Sequence, residues 1–100
     1  ELVRWVREII ESNSPRAVDA ALDAMMTRPD SAPDLARMSC ATLVIVGEED
    51  SVTPPSEADA LHRAIERSVV VRLAGAAHLS SLEQPDAFSR ALADFLLSHI

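Results

Sequence analysis

Thr42-Leu43-Val44-Ile45-Val46-Gly47-Glu48-Glu49-Asp50 constrains this chain more than any other stretch: an apolar run that stops at a glycine and three carboxylates. Consecutive large aliphatic residues, two valines and an isoleucine among them, predict a strand buried on both faces, as in a parallel sheet flanked by helices. Gly47 ends the run. In open parallel sheets chemistry gathers beyond the carboxyl ends of the strands, so an acidic cluster there is a better site candidate than one in mid-helix. The role of Asp50 is the first question this raises.

A second apolar run without alternation, Ser68 to Leu73 with Val69-Val70-Val71 at its centre, predicts a second strand. Between the two, Ser51-Val52-Thr53 reads as a turn, and Pro54-Pro55 opens a helix with Ala58, Leu61 and Ile65 on one side. Strand, helix and strand of these lengths make a βαβ unit, with parallel strands and a right-handed crossover. Gly75-Ala76-Ala77-His78 follows the second strand, then a polar loop, and Pro85 starts a last helix on which Phe88, Ala91, Leu92, Phe95 and Leu96 align.

Upstream, Leu2, Trp5, Val6 and Ile9 recur at helical spacing over residues 1 to 12. Ser14 is placed to cap a second helix with Pro15 at its first position, running to about Thr27 along Val18, Ala21, Leu22 and Met25. Arg28-Pro29-Asp30-Ser31-Ala32-Pro33 breaks that pattern, and a short helical turn from Asp34 to Met38 leads into the first strand. Residues 1–38 thus read as a helical connector and 39–100 as a βαβα unit. Two parallel strands do not stand alone as a sheet buried on both faces, so partner strands are expected from outside this chain, from an upstream part of a longer parent or from the edge of a second copy.

Charge narrows the partners. Nine arginines, no lysines and sixteen carboxylates leave a net charge of -7, which argues against nucleic acid and anionic membrane surfaces. No segment has the length of a membrane-spanning helix, and the start lacks a signal-peptide pattern. One cysteine, Cys40, leaves no internal disulfide and, with three separated histidines, no zinc spacing. A reducing, cytoplasmic setting follows as the expectation.

Asp50 and His78 both fall past the carboxyl ends of the two expected strands, which would bring them close in space. A carboxylate that accepts a hydrogen bond from one imidazole nitrogen fixes the tautomer and stabilises the imidazolium, leaving the other nitrogen as a general base. Residues from about Arg28 to Ile100, centred on Thr42-Leu43-Val44-Ile45-Val46-Gly47-Glu48-Glu49-Asp50-Ser51-Val52-Thr53-Pro54-Pro55 and on Gly75-Ala76-Ala77-His78-Leu79-Ser80-Ser81-Leu82-Glu83-Gln84-Pro85, resemble the C-terminal portion of an α/β-hydrolase. The resemblance implies that Asp50 and His78 are the acid and base of a Ser-His-Asp triad. It implies further that the helices before Thr42 end a lid, and that the substrate is a small-molecule ester or lactone. The loop of His78 is similar in style to that of 3-oxoadipate enol-lactonases. No cofactor is implied.

The chain departs from the family pattern in three places. Ala41 stands where a proline usually precedes the strand, and Ala77 where a glycine usually precedes the histidine; a positive φ at Ala77 would strain the backbone and displace His78. With only Gly47 and Gly75 present, no Gly-x-Ser-x-Gly elbow exists here, so the nucleophile is expected upstream and this chain alone is expected to be inactive. A non-catalytic module that self-associates through an exposed strand edge is the alternative.

Other residues are weaker candidates. Glu48 and Glu49 beside Asp50 resemble the acidic metal pocket of a receiver domain, but that family also uses a lysine, and they read more simply as turn residues. Ser80 and Ser81 read as turn or cap residues, His62 and His99 as structural or solvated, and Met25, Met26 and Met38 as packing. Cys40 reads as an inert small hydrophobe.

Overall fold

The computed structural model describes residues 1–99, which divide into two compact units, one of residues 1–31 and a second that begins at Ala32. The first unit holds α1 (Leu2–Glu11) and α2 (Pro15–Thr27). Ser14 caps α2 as its side chain accepts from the Ala17 amide at 3.1 Å, and Pro15 occupies the position whose missing N–H costs nothing. Trp5, Ile9, Leu22, Met25 and Met26 are all exposed within this unit.

The second unit begins with a 3-10 helix, Ala32–Arg37, followed by β1 (Thr42–Gly47), α3 (Pro55–Ala64), β2 (Ser68–Leu73), a single helical turn α4 (Ser80–Glu83) and α5 (Pro85–Ser98). β1 and β2 pair in parallel, Thr42 with Ser68 through to Gly47 with Leu73. The ladder is closed at its ends by the Thr42 amide on the Arg67 carbonyl at 2.9 Å and the Glu48 amide on the Leu73 carbonyl at 3.0 Å.

Register decides which side chains share a face. In a parallel pair, partners point the same way and successive residues alternate, so Leu43, Val69 and Val71 lie on one face and Val44, Val46 and Arg72 on the other. α5 covers the first face through Ala91 and Phe95. α3 covers the second: Ala58 and Leu61 face Val44 and Val46, and Arg72 Nη2 donates to both carboxylate oxygens of Asp59 at 2.8 and 2.7 Å. That pair is half exposed and is worth at most about 1 kcal/mol. The βα turn is set by Pro54, held extended as a residue before proline must be, with Pro55 opening the helix.

The burial expected of the strands is only partly present. Val46, Ala58, Ile65, Leu73 and Ala76 form the buried core, whereas Thr42 to Ile45 are half-buried and Val69 is 47% exposed. One helix on each face cannot cover both ends of two strands, and the core collects at their carboxyl ends. Leu92 and Leu96, which align with Phe88, Ala91 and Phe95 in sequence, are exposed for the same reason. The polar loop expected after His78 contains the helical turn α4. Cys40, read from the sequence as an inert small hydrophobe, is exposed because it precedes β1 and lies outside the ladder. No helix among the described residues is long and apolar enough to cross a membrane.

Candidate functional site

The site lies at the carboxyl ends of β1 and β2. After Gly47 the chain turns through Glu48 and Glu49, both exposed, and the Asp50 amide closes on the Gly47 carbonyl at 3.2 Å. Asp50 is itself buried, with 7% of its surface exposed. Its two carboxylate oxygens are used differently. Oδ1 accepts from the amides of Val52 and Thr53, both at 2.9 Å, an arrangement open to a short acidic side chain that caps its own turn. Oδ2 is left to accept from the Thr53 hydroxyl at 3.2 Å and from His78 Nδ1 at 3.0 Å. The turn locks the carboxylate plane, and Oδ2 is thereby aimed across at the second strand's loop.

These bonds also set the charge of Asp50. Burial raises its carboxyl, but the Thr53 amide, His78, the Val52 amide and the Thr53 hydroxyl together outweigh it and hold the group below the ordinary value of 3.8. An ionised carboxylate has no proton to donate, so His78 Nδ1 carries the hydrogen of the shared bond. In the neutral ring Nε2 is then unprotonated and free to accept. Thr53 Oγ1 lies 3.4 Å from Nδ1, so threonine touches both members of the pair.

His78 reaches Asp50 from 28 positions away because β1 and β2 are adjacent and in register. The loop that carries it passes directly over Gly47. A Cβ at Gly47 would land on the carbonyl oxygens of Ala76 and Ala77, so the glycine is required by close approach of two backbones rather than by a turn. The strain envisaged at Ala77 is absent: among the described residues the only positive φ belongs to Gly75, at 70°. Gly75 takes the left-handed turn two residues early and leaves Ala77 in an ordinary conformation.

The His78 side chain is 49% exposed and borders an open cavity of about 550 Å³ with Asp50, Val44, Val46, Ala58 and Leu61 along its walls. An imidazole whose far side is fixed by a carboxylate and whose near side faces a largely apolar cavity can take up and return a proton next to a bound carbonyl compound. Ser80 also lines this cavity, at the first position of α4, but makes no bond to His78.

The remaining candidates fall elsewhere. His62 Nδ1 lies 2.8 Å from the Ser68 hydroxyl, which donates to the Ile65 carbonyl at 2.7 Å, so this histidine joins the end of α3 to the start of β2. His99 pairs with the Phe95 carbonyl at 2.8 Å and stacks on the Phe95 ring at the end of α5. Neither approaches Asp50. Three contributors escaped the sequence reading: Thr53, Glu83 and Gln84. The Asp-x-x-Thr spacing after a strand was the available signal for Thr53. Ser80-x-x-Glu83 has the spacing of a capping box, in which the glutamate would reach the Ser80 amide; instead Glu83 Oε2 accepts from the Ala77 amide at 3.0 Å.

Comparison with known proteins agrees with this architecture. A family model described as TAP-like protein matches residues 17–99. Over 93 residues the chain is 31% identical to the pimeloyl-[acyl-carrier protein] methyl ester esterase of Neisseria meningitidis serogroup B strain H44/76, covering 93% of this chain and 36% of that protein. The serogroup A strain Z2491 protein of the same name matches at 31% identity over 93% of this chain and 30% of its own length. Among solved structures, a malate-bound thermophilic esterase from Thermogutta terrifontis superposes with a TM-score of 0.93 at 38% identity, over 97% of this chain and 36% of that one. An α/β hydrolase from the sediment metagenome of the Mar Chica lagoon, Morocco, gives 0.80 at 27% identity, over 94% and 44%. The chain spans about a third of the length of the curated relatives it matches.

Proposed function

This chain belongs to the TAP-like family of α/β-hydrolases, and from that premise we propose that it supplies the acid and base of a Ser-His-Asp triad in an esterase whose nucleophilic serine lies upstream of Glu1. The carrying observation is the 3.0 Å bond between Asp50 Oδ2 and His78 Nδ1, with His78 itself on the wall of an open cavity. In the reaction the serine hydroxyl attacks the substrate carbonyl while His78 Nε2 takes its proton. Asp50 stabilises the imidazolium, and Nε2 then hands the proton to the departing alkoxide. Water repeats the exchange and releases the acid, returning His78 to its neutral form.

A small-molecule ester is the substrate class we favour over a lactone, because the relatives named above are esterases. No cofactor enters this scheme, and a cytoplasmic setting belongs to the same proposal. The test uses the full-length protein and a series of p-nitrophenyl esters. His78→Ala and Asp50→Asn are expected to lower kcat by about 10³–10⁴-fold, with circular dichroism unchanged. Near-parental turnover in either folded variant would overturn the assignment.

A second reading concerns the chain taken alone. β1 and β2 are the only strands among the described residues, and each leaves one edge unpaired beside exposed apolar side chains such as Val69. Such edges pair with other strands. On this reading the isolated chain is an inactive module that self-associates.

A further inference from the structure

His78 is held by little of its own side chain. The ring is 49% exposed, and its polar contacts are both made at Nδ1, to Asp50 and Thr53. The direction of Nε2 therefore depends on the backbone that delivers the residue. That backbone, Gly75 to Ala77, is pinned from outside at each residue. The Gly75 carbonyl accepts from Gln84 Nε2 at 3.2 Å, the Ala76 carbonyl from the Glu49 amide at 2.9 Å, and the Ala77 amide donates to Glu83 Oε2 at 3.0 Å. Ala76 is wholly buried, and Gly47 lies directly beneath with no room for a Cβ.

Of these three fastenings, the one on Ala77 is nearest to His78 and uses a charged acceptor. A carboxylate on an amide N–H makes a bond roughly twice as strong as a neutral pair. Glu83 is half-buried, at the end of α4, and reaches back past Ser80 to make it. We propose that Glu83 is a positioning residue for His78: it fixes the Ala76–Ala77 peptide, one residue before the histidine, and through it the approach of Nε2 to the substrate. Glu83 touches no reacting atom. The proposal rests on the reading of His78 as the triad base, and it assigns Gln84 the lesser task of holding the start of the same loop.

Three substitutions in the full-length protein separate reach from charge. Glu83→Gln keeps an acceptor oxygen at the same distance, Glu83→Asp keeps the charge but is one methylene short, and Glu83→Ala removes both. Displacement of a catalytic group by about 1 Å costs on the order of 10²-fold, so kcat is expected to fall by that factor in the Ala and Asp variants. KM should move less than about threefold, since the substrate's own contacts are untouched. Glu83→Gln should restore kcat to within about fivefold of the parent. Thermal melts establish that each variant is folded at the assay temperature; if Glu83→Ala does not fold, Glu83→Asp carries the comparison. Parental kcat in a folded Asp or Ala variant, or a Gln variant no better than Ala, would overturn the proposal. His78→Ala in the same assay keeps the two readings apart: if it stays active the triad itself fails, whereas an inactive His78→Ala beside an unaffected Glu83→Ala removes only the role of Glu83.

Discussion

Asp50 does two things with one carboxylate, and neither would suffice alone. Oδ1 on the Val52 and Thr53 amides makes it an ordinary turn cap; Oδ2 on His78 makes it half of a pair. The two roles depend on each other, because capping the turn is what aims the second oxygen. This has a pH consequence. The folded-state pKa is depressed, so the stabilisation it represents is present above the ordinary value of 3.8 and is lost as pH falls through the lower folded value. Urea unfolding midpoints of the parent and Asp50→Asn, followed from about pH 5 down to about pH 2, should therefore converge as acid is added. A gap that stays constant over that window would show that the carboxylate's bonds do not favour its ionised form.

At the scale of elements, the site is made where two backbones cross. β1 must end without a side chain so that the loop after β2 can lie on it, and Gly47 meets that need. Gly47→Ala forces the carbonyls of Ala76 and Ala77 away, and both obstacles are main chain with no rotamer to yield. Overpacking of this kind costs about 1–3 kcal/mol, so a lower melting temperature is expected together with a loss of turnover larger than the loss of folded protein. Equal losses would mean that the His78 loop does not depend on this crossing. The helices at either side serve the same end more loosely, α3 walling the cavity and α5 backing the opposite face of the sheet.

For the whole molecule, the balance between covered and bare surface matters most. A two-stranded parallel sheet with five buried core hydrophobes, three of them at the carboxyl ends of the strands or in the His78 loop, is a small core. The chain spans about a third of the length of its curated relatives. Produced alone, the 100-residue chain is expected to elute from a sizing column as a dimer or larger and to hydrolyse p-nitrophenyl esters no faster than buffer. A monodisperse monomer would count against self-association through the strand edges, and measurable esterase activity would require a nucleophile within these residues.

Much of this was legible in the linear chain. Apolar runs without alternation specify parallel strands, Ser-Pro and Pro-Pro specify helix starts, and a carboxylate and an imidazole placed after successive strands specify a pair, because these are local preferences or consequences of strand adjacency alone. The division of labour between the Asp50 oxygens, the need for Gly47, the relaxed backbone at Ala77 and the reach of Glu83 were not legible. Each depends on how closely two segments approach across a gap of many residues, a distance that composition and periodicity do not encode and that only packing decides. Burial was overestimated for that reason too: hydrophobicity states which side chains favour cover, while the number of helices and strands present determines how many obtain it.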